Sequence, residues 1–380
     1  MARFKEIEAL YIHIPFCNRI CTYCDFYKML AKYDAKAKYI DYLIKELDLR
    51  KPYLSNIKTI YIGGGTPTSL DNDLLEKLLE AIKKSVDLTK VIEYSIEANP
   101  LDLNLIKCNL LKKYHVNRVS IGVQSFNKER LKFLGRIHTK TDAYDAVKNL
   151  KKSGIKNINI DLIYALPNDK FSIFKKDLKE AVKLGVNHIS CYALIIEEHT
   201  MLYKYYKEGK YSELDEDIQA KIYYKTNKYL AKYGYNHYEI SNYARDGYES
   251  IHNLTYWNNE YYMAIGASSS YYFDNVRYTN IHNLKKYYEG IDNLKLEYFE
   301  ESKLSNLDQM KEEIILGLRK IKGVDIIRFS HKFGMTIYDA FGDIINDLIN
   351  KKLLVIVNNS YLKIPENKLF ISNSIMSKFI

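Results

Sequence analysis

Two hydrophobic rhythms take turns along the first two-thirds of the chain. Short stretches with frequent apolar residues, at Ala9–Ile14, Thr59–Ile62, Glu93–Ala98, Arg118–Val123, Asn157–Tyr164 and His188–Ile196, predict strands. Between them, Tyr33–Arg50, Asp71–Val86, Leu103–Tyr114, Asn127–Leu134, Thr141–Ser153 and Phe171–Leu184 place apolar residues at three- and four-residue steps and predict helices. Strands alternating with helices imply parallel pairing. Six such units predict an α/β fold, a partial (β/α)6 barrel of the TIM type. An open sheet with helices on both faces gives the same pattern and stands as the alternative.

The rhythm changes further on. Leu214–Tyr233 reads as a longer helix, Tyr235–Ser241 as a strand, and an Asn- and Tyr-rich stretch runs to about Ser270. Leu307–Leu318 and Ile337–Asn350 are amphipathic, and Leu353–Val357 with Tyr361–Ile364 reads as a hairpin turning at Asn358-Asn359-Ser360. Helices followed by a hairpin predict a small C-terminal α+β domain like a winged helix. The chain's 380 residues suffice for two cores, and the boundary is placed near 290, giving 1–290 and 291–380.

Composition narrows the function classes. Net charge is +10, but the lysines are dispersed among Ile, Asn and Tyr and form no basic block, so nucleic acid is not an expected partner. No segment approaches the roughly eighteen continuous apolar residues of a membrane span, and Met1–Glu8 lacks the apolar core of a signal peptide. A cytoplasmic protein is expected, its positive charge compatible with visits to a membrane surface.

Candidate chemistry gathers where the predicted strands end, which is where parallel α/β folds build their sites. Cys17, Cys21 and Cys24 follow the first strand, Gly63-Gly64-Gly65-Thr66 the second; Glu97 and Asn99 close the third, Gln124 and Ser125 the fourth, and Asp161 lies in the fifth. A CxxxCxxC spacing offers three thiolates and leaves one iron of a [4Fe–4S] cube without a protein ligand. Zinc would want a fourth nearby Cys or His, and neither Cys108 nor Cys191 has a neighbouring partner. A redox pair of Cys21 and Cys24 would leave Cys17 unexplained, and five cysteines in a chain this long fit no disulfide framework. The triple glycine lacks the Lys-Ser/Thr of a P-loop; it reads as a tight turn or as a cradle where backbone approaches a ligand.

The cysteine run, Gly63-Gly-Gly-Thr-Pro-Thr68, Ser95-Ile-Glu-Ala-Asn-Pro100, Ile121-Gly-Val-Gln-Ser125, Leu134-Gly-Arg-Ile-His138 and Asp161-Leu-Ile-Tyr-Ala-Leu-Pro167 together resemble the radical S-adenosylmethionine (SAM) superfamily. The likeness is to the branch that holds oxygen-independent coproporphyrinogen III oxidases and HemW-type haem chaperones, and it extends to Leu316-Gly-Leu-Arg319 and Ile371-Ser-Asn-Ser374. It implies that Cys17, Cys21 and Cys24 hold a [4Fe–4S] cluster and that SAM chelates the open iron. It further implies that Gly64, Gly65 and Thr66 line the methionine part, with Tyr11, Tyr23, Glu97, Gln124, Arg136 and Asp161 as further SAM-site residues.

Within that branch the resemblance divides. The oxidases carry a fourth cysteine in CxxxCxxCxC, where this chain has Phe26, and a longer segment before the cysteines, where this chain has sixteen residues. His252-Asn-Leu-Thr-Tyr-Trp257 looks like the haem-associated HNxxYW signature of the chaperones, with His252 as candidate iron ligand and Tyr256 and Trp257 as flat apolar surface. The resemblance thus implies a haem chaperone with no assigned catalytic residue. Its partners would be haem, acceptor haem proteins at the membrane and an electron donor for the cluster, with a dimer left open. The alternatives are the oxidase, or another radical SAM enzyme acting on a tetrapyrrole.

Overall fold

The computed structural model describes residues 7–380. Most of the Met1–Glu8 segment read above lies outside the described residues. Strands β1 (Ala9–Ile14), β2 (Thr59–Gly64), β3 (Glu93–Ala98), β4 (Arg118–Gln124), β5 (Asn157–Tyr164) and β6 (His188–Ala193) lie side by side in chain order, all parallel. The crossovers carry α1 (Tyr33–Arg50), α2 (Asn72–Ser85), α3 (Leu105–Lys113), α4 (Lys128–Phe133), α5 (Lys140–Lys152) and α6 (Phe171–Lys183). A doubly wound sheet needs a reversal of strand order to place helices on both faces. Here the order never reverses, so right-handed crossovers put every helix on one face and the sheet is a partial barrel. Local chemistry starts the helices: Asn127 accepts the N–H groups of Glu129 and Arg130, and Thr139 and Asp142 form a reciprocal capping box at α5.

Strict alternation along these strands separates two environments. Leu10, Ile12 and Ile14, Ile60 and Ile62, Tyr94 and Ile96, Val119, Ile121 and Val123, and Ile158, Ile160 and Leu162 are buried in one core with Leu43, Leu75, Leu111, Val147 and Phe174 of the helices. Each such side chain contributes roughly 1.5–3 kcal/mol by leaving water. The intervening positions, among them Tyr11, Tyr61, Glu97, Ser120, Gln124, Asn159, Asp161 and Ser190, point the other way and give the barrel a polar interior.

The sheet does not close on itself. Its edges are β7 (Asn236–Glu239), reached from β6 through antiparallel β8 (Asn242–Ala244), and β9 (Met263–Ile265), which runs parallel beside β1. Helices α7 (Met201–Lys207), α8 (Glu216–Ala231) and α9 (Ile251–Trp257) punctuate the stretch between β6 and β9. Glu46 of α1, fully buried, accepts from Gly266 N at 2.7 Å, Asn280 Nδ2 at 3.1 Å and Tyr287 Oη at 2.7 Å, tying this later chain to the first helix.

Strands β10 (Ser270–Phe273), β11 (Val276–Asn280) and β12 (Tyr298–Lys303) form a small antiparallel sheet, with α10 (Leu284–Asp292) between its last two strands. The boundary expected near 290 falls inside α10, and β12 beyond it pairs back onto β11. Then come α11 (Asn306–Gly317), β13 (Val324–Asp325), α12 (Ile326–Phe333), α13 (Ile337–Asn350), β14 (Val355–Val357) and β15 (Tyr361–Lys363), with strand order β13-β15-β14. This is the winged-helix succession. Asn358 and Asn359 turn its hairpin at φ 52° and 51°, a region Asn tolerates. Among the described residues no helix is long and apolar enough to cross a membrane.

Candidate functional site

The cysteine loop leaves β1 and is pinned at its base, Cys17 N donating to Met29 O at 3.0 Å and Met29 N to Pro15 O at 2.7 Å. Its far side docks on the end of α4: Thr22 N donates to Leu134 O at 3.3 Å, Thr22 Oγ1 to Phe133 O at 3.0 Å, and Arg19 Nε to Gly135 O at 2.9 Å. The glycine strand end of β2 runs directly against this loop. Gly65 N donates to Ile14 O and Thr66 N to Phe16 O, both at 2.8 Å, and Thr66 Oγ1 lies 3.6 Å from Cys17 Sγ. A Cβ on Gly65 would sit 2.8 Å from Phe16 O and 3.0 Å from Cys17 Sγ; one on Gly64, whose φ is +115°, would meet the His13 ring at 2.6 Å. Gly65 is therefore required by the cysteine loop itself, and Gly64 by the His13 ring of β1 beside it.

Behind the loop the barrel interior is a cavity of about 440 Å³. Cys17, Cys21, Tyr23, Cys24, Gly64, Gly65, Thr66, Glu97, Gln124, Arg136 and Asp161 all line it, so strand ends far apart in sequence do converge. Glu97 accepts from Tyr61 Oη at 2.9 Å and Gly64 N at 3.2 Å. Burial, with the nearby Asp161 charge adding to it, pushes the Glu97 carboxyl up to about 7. Asp161 is also raised by burial, although Ser120 Oγ at 3.1 Å and Asn159 Nδ2 at 2.8 Å donate to it. Arg136 reaches Cys21 Sγ at 3.4 Å with Nη1 and donates to Gly122 O with Nη2, while half-buried Tyr23 lies close by, desolvation holding its hydroxyl proton.

Among the described residues, three polar atoms of cavity-lining side chains are buried without a partner, the Gln124 Oε1 acceptor and the Arg118 and Arg136 Nε donors. Gln124 also holds a φ of +63°, unfavourable for a side chain of its size. Unsatisfied buried groups of both kinds beside a strained residue fit a ligand carrying donors and acceptors, such as an amino acid's ammonium and carboxylate. Burial raises the Cys24 thiol to about 11 and raises Cys17 as well, so without a metal both stay protonated, and an iron centre bound here would displace those protons. Among the described residues no three His, Cys, Asp or Glu side chains converge on a single metal ion. A cube places its thiolates on separate irons and does not need that convergence.

Two expected residues lie elsewhere. Tyr11 sits deeper in the barrel, its hydroxyl donating to His13 Nδ1 at 3.1 Å and its ring stacked on Tyr61 at 6.1 Å. His13 Nε2 in turn donates to Tyr27 O at 3.1 Å, so Tyr11 acts on the cysteine loop through His13. His252, expected as the iron ligand, has both ring nitrogens occupied in this structure. Its side chain is fully buried at the opposite, N-terminal end of the strands, with Nδ1 bonded to Thr59 Oγ1 at 2.9 Å and Nε2 to Tyr256 Oη at 2.7 Å. Burial, and then the Arg118 charge, hold this imidazole down to about 3, so it is neutral with neither nitrogen free for iron. Trp257 packs under the Arg319 guanidinium, 4.4 Å from its ring. Glu93 accepts the N–H groups of Ile251 at 2.8 Å and His252 at 3.2 Å, so HNxxYW seats α9 on the first residues of β2 and β3.

Other cavity residues escaped the sequence reading: Ser120, Asn159, His188, Ser190 and Asn242 continue the polar lining toward β8. For Ser120, Asn159, His188 and Ser190 the signal was a polar residue alternating with apolar ones in the first halves of β4, β5 and β6.

A partial barrel with a three-cysteine loop at its C-terminal rim, glycines pressed against that loop and a polar cavity behind it defines a protein of the radical SAM class. Residues 11–181 match the radical SAM superfamily and residues 304–367 the HemN C-terminal domain. The chain is 41% identical over 376 residues to heme chaperone HemW of Lactococcus lactis subsp. lactis (strain IL1403), covering 99% of this chain and 98% of that one. It is 36% identical over 354 residues to heme chaperone HemW of Bacillus subtilis (strain 168), covering 92% and 93%. The chain belongs to the HemW family. Its fold is that of coproporphyrinogen III oxidase (HemN) from Escherichia coli, a radical SAM enzyme, at a TM-score of 0.86 and 22% identity, covering 100% of this chain and 91% of that one. Membership of the superfamily implies a [4Fe–4S] cluster and SAM as cofactors.

Proposed function

We propose that this protein is a haem carrier that receives haem and delivers it to acceptor haem proteins. On this reading Cys17, Cys21 and Cys24 hold the cluster and SAM occupies the open iron. Gly64, Gly65 and Thr66 line the methionine part of SAM, and Gln124 Oε1 and Arg136 supply the missing polar contacts. Asp161, with Ser120 and Asn159 behind it, is placed to accept from ribose hydroxyls. When bound, cluster and SAM supply one-electron reductive cleavage of a carbon–sulfur bond. Tyr61 and Gly64 hold Glu97 while the loop and the barrel wall exclude water. The proposal extends to a cytoplasmic protein that meets its acceptors at the membrane and takes electrons from a separate donor.

The observation that carries the carrier reading over the oxidase is the match to HemW proteins along nearly the whole chain. Agreeing with it, the residue two beyond Cys24 is Phe26, 65% exposed at the cavity and unable to ligate iron. The test is anaerobic: reconstitute the cluster, add SAM, a reductant and coproporphyrinogen III, and follow tetrapyrrole products and 5′-deoxyadenosine, with a parallel haem titration and transfer to an apo-haem protein. Bound and transferable haem with intact coproporphyrinogen is expected. Decarboxylated product above the cluster-free control would make the protein an oxidase. Cys17→Ser should abolish cluster iron, and full iron content in that variant would remove Cys17 from the site.

A further inference from the structure

Both ring nitrogens of His252 are buried and engaged, so the other histidines are candidates for the haem ligand of the proposed carrier. Of the nine histidines, His13, His188 and His252 have both ring nitrogens engaged. His138 and His237 are walled in, and burial holds both down to about 4. His115, His199 and His331 are exposed. His282, between β11 and α10, differs from all of these. It is half-buried, its Nδ1 is held 2.8 Å from Ser268 Oγ, and Nε2 has no hydrogen bond among the described residues. Ser268 itself is fixed at a φ of +65°.

Flat apolar surface surrounds this ring. Phe299 of β12 lies 4.1 Å from it, centroid to centroid, and is 63% exposed; Tyr27 of the cysteine loop lies 5.9 Å away on a tilted approach. Tyr288, whose phenol feels the nearby Tyr27, carries the Lys38 ammonium 4.9 Å over its ring, a cation at the margin of the patch. An imidazole with one nitrogen anchored presents the other as a metal ligand of fixed direction. Exposed aromatic rings beside it match a porphyrin face, and a bordering lysine matches a propionate.

We infer that His282 Nε2 is the axial ligand of the carried haem, with Phe299 and Tyr27 against the porphyrin and Lys38 toward a propionate. This rests on the haem-carrier reading above. The test titrates ferric haem into the full-length protein and follows absorption and magnetic circular dichroism for an imidazole-ligated iron. Wild type and His252→Gln should both give that signature. His282→Ala should lose it and regain it on adding free imidazole, Ser268→Ala should weaken binding about tenfold, and the exposed Phe299→Ala should weaken it without changing the ligand. An unchanged signature in His282→Ala, or its loss in His252→Gln with His282→Ala normal, overturns the assignment while leaving the carrier reading intact. Should His282→Ala fail to fold, unaltered affinity in both Ser268→Ala and Phe299→Ala overturns it. A wild-type protein that binds no haem refutes the carrier reading itself.

Discussion

Replacing Gly65 with Ala adds one methyl at the tightest point between the glycine strand end and the cysteine loop. The new Cβ would stand 2.8 Å from Phe16 O, 3.0 Å from Cys17 Sγ and 3.0 Å from Pro15 C. Two of these atoms are backbone, pinned by Gly65 N to Ile14 O and Thr66 N to Phe16 O, so no rotamer change can relieve the overlap. Forced overpacking of this kind costs about 1–3 kcal/mol. In a chain of this size each kcal/mol lowers Tm by roughly 1–2 °C, so a drop of a few degrees is expected in the cluster-free protein. The strain is local to Cys17, so reconstituted iron and acid-labile sulfide should fall well below wild type even where the variant is folded. Differential scanning fluorimetry and iron and sulfide assays on the same preparation read both effects. An Ala variant with wild-type Tm and full iron would refute the argument that the glycine is needed for close approach.

Glu97→Gln and His252→Gln should act on opposite limbs of the pH–stability curve. The Glu97 carboxyl rises from 4.5 to about 7 on folding, so its contribution is present below 4.5 and is lost as pH climbs through 7; about 3 kcal/mol should vanish from that limb in the Gln variant, measured by urea unfolding at pH 5 and pH 8. His252 falls from 6.5 to about 3, so its contribution is full above 6.5 and is lost as pH drops toward 3; the Gln variant should lose less stability on acidification. Arg130→Ala should destabilise the protein by about 3–5 kcal/mol, because it strands Asp169, which Arg130 Nη1 contacts, and Asp177, 3.2 Å from the same guanidinium, as buried charges. A urea midpoint unchanged in that variant would show that the two carboxylates find other partners.

The barrel strands and helices were legible because each meets a strong, regular boundary: β1, β3 and β5 and α1 fall where the apolar runs place them. Farther on, Ile337–Asn350 and the hairpin turning at Asn358–Ser360 were legible too, but the chain from Ser241 to β12 was not. Strands β8 and β9 have three residues each, and β9 is selected by its parallel register with Leu10 and Ile12, a long-range pairing that no local window contains. Nor was the pairing of β12 with β11 across an intervening helix visible in any local window. At the site, residues read at strand ends reached the cavity because parallel strands in order bring those ends together. The surroundings of His252 were not legible because its motif fixes neither depth nor end of the barrel; Thr59, Tyr61 and Glu93 decide that, and they are distant in sequence.

The pairing of β9 with β1 also sets a timetable for synthesis. At roughly 5–20 residues per second, on the order of 10–40 s separate the emergence of β2 from that of β9. Throughout that interval β1 has one unpaired edge, the kind of feature that invites pairing with other chains. Glu46 waits in parallel, its carboxylate destined for a dry core whose donors, Gly266, Asn280 and Tyr287, are all made late. A chain released before about residue 290 thus carries both an open strand edge and an unanswered acidic group, two marks by which a cell's proteases can tell it from the finished protein.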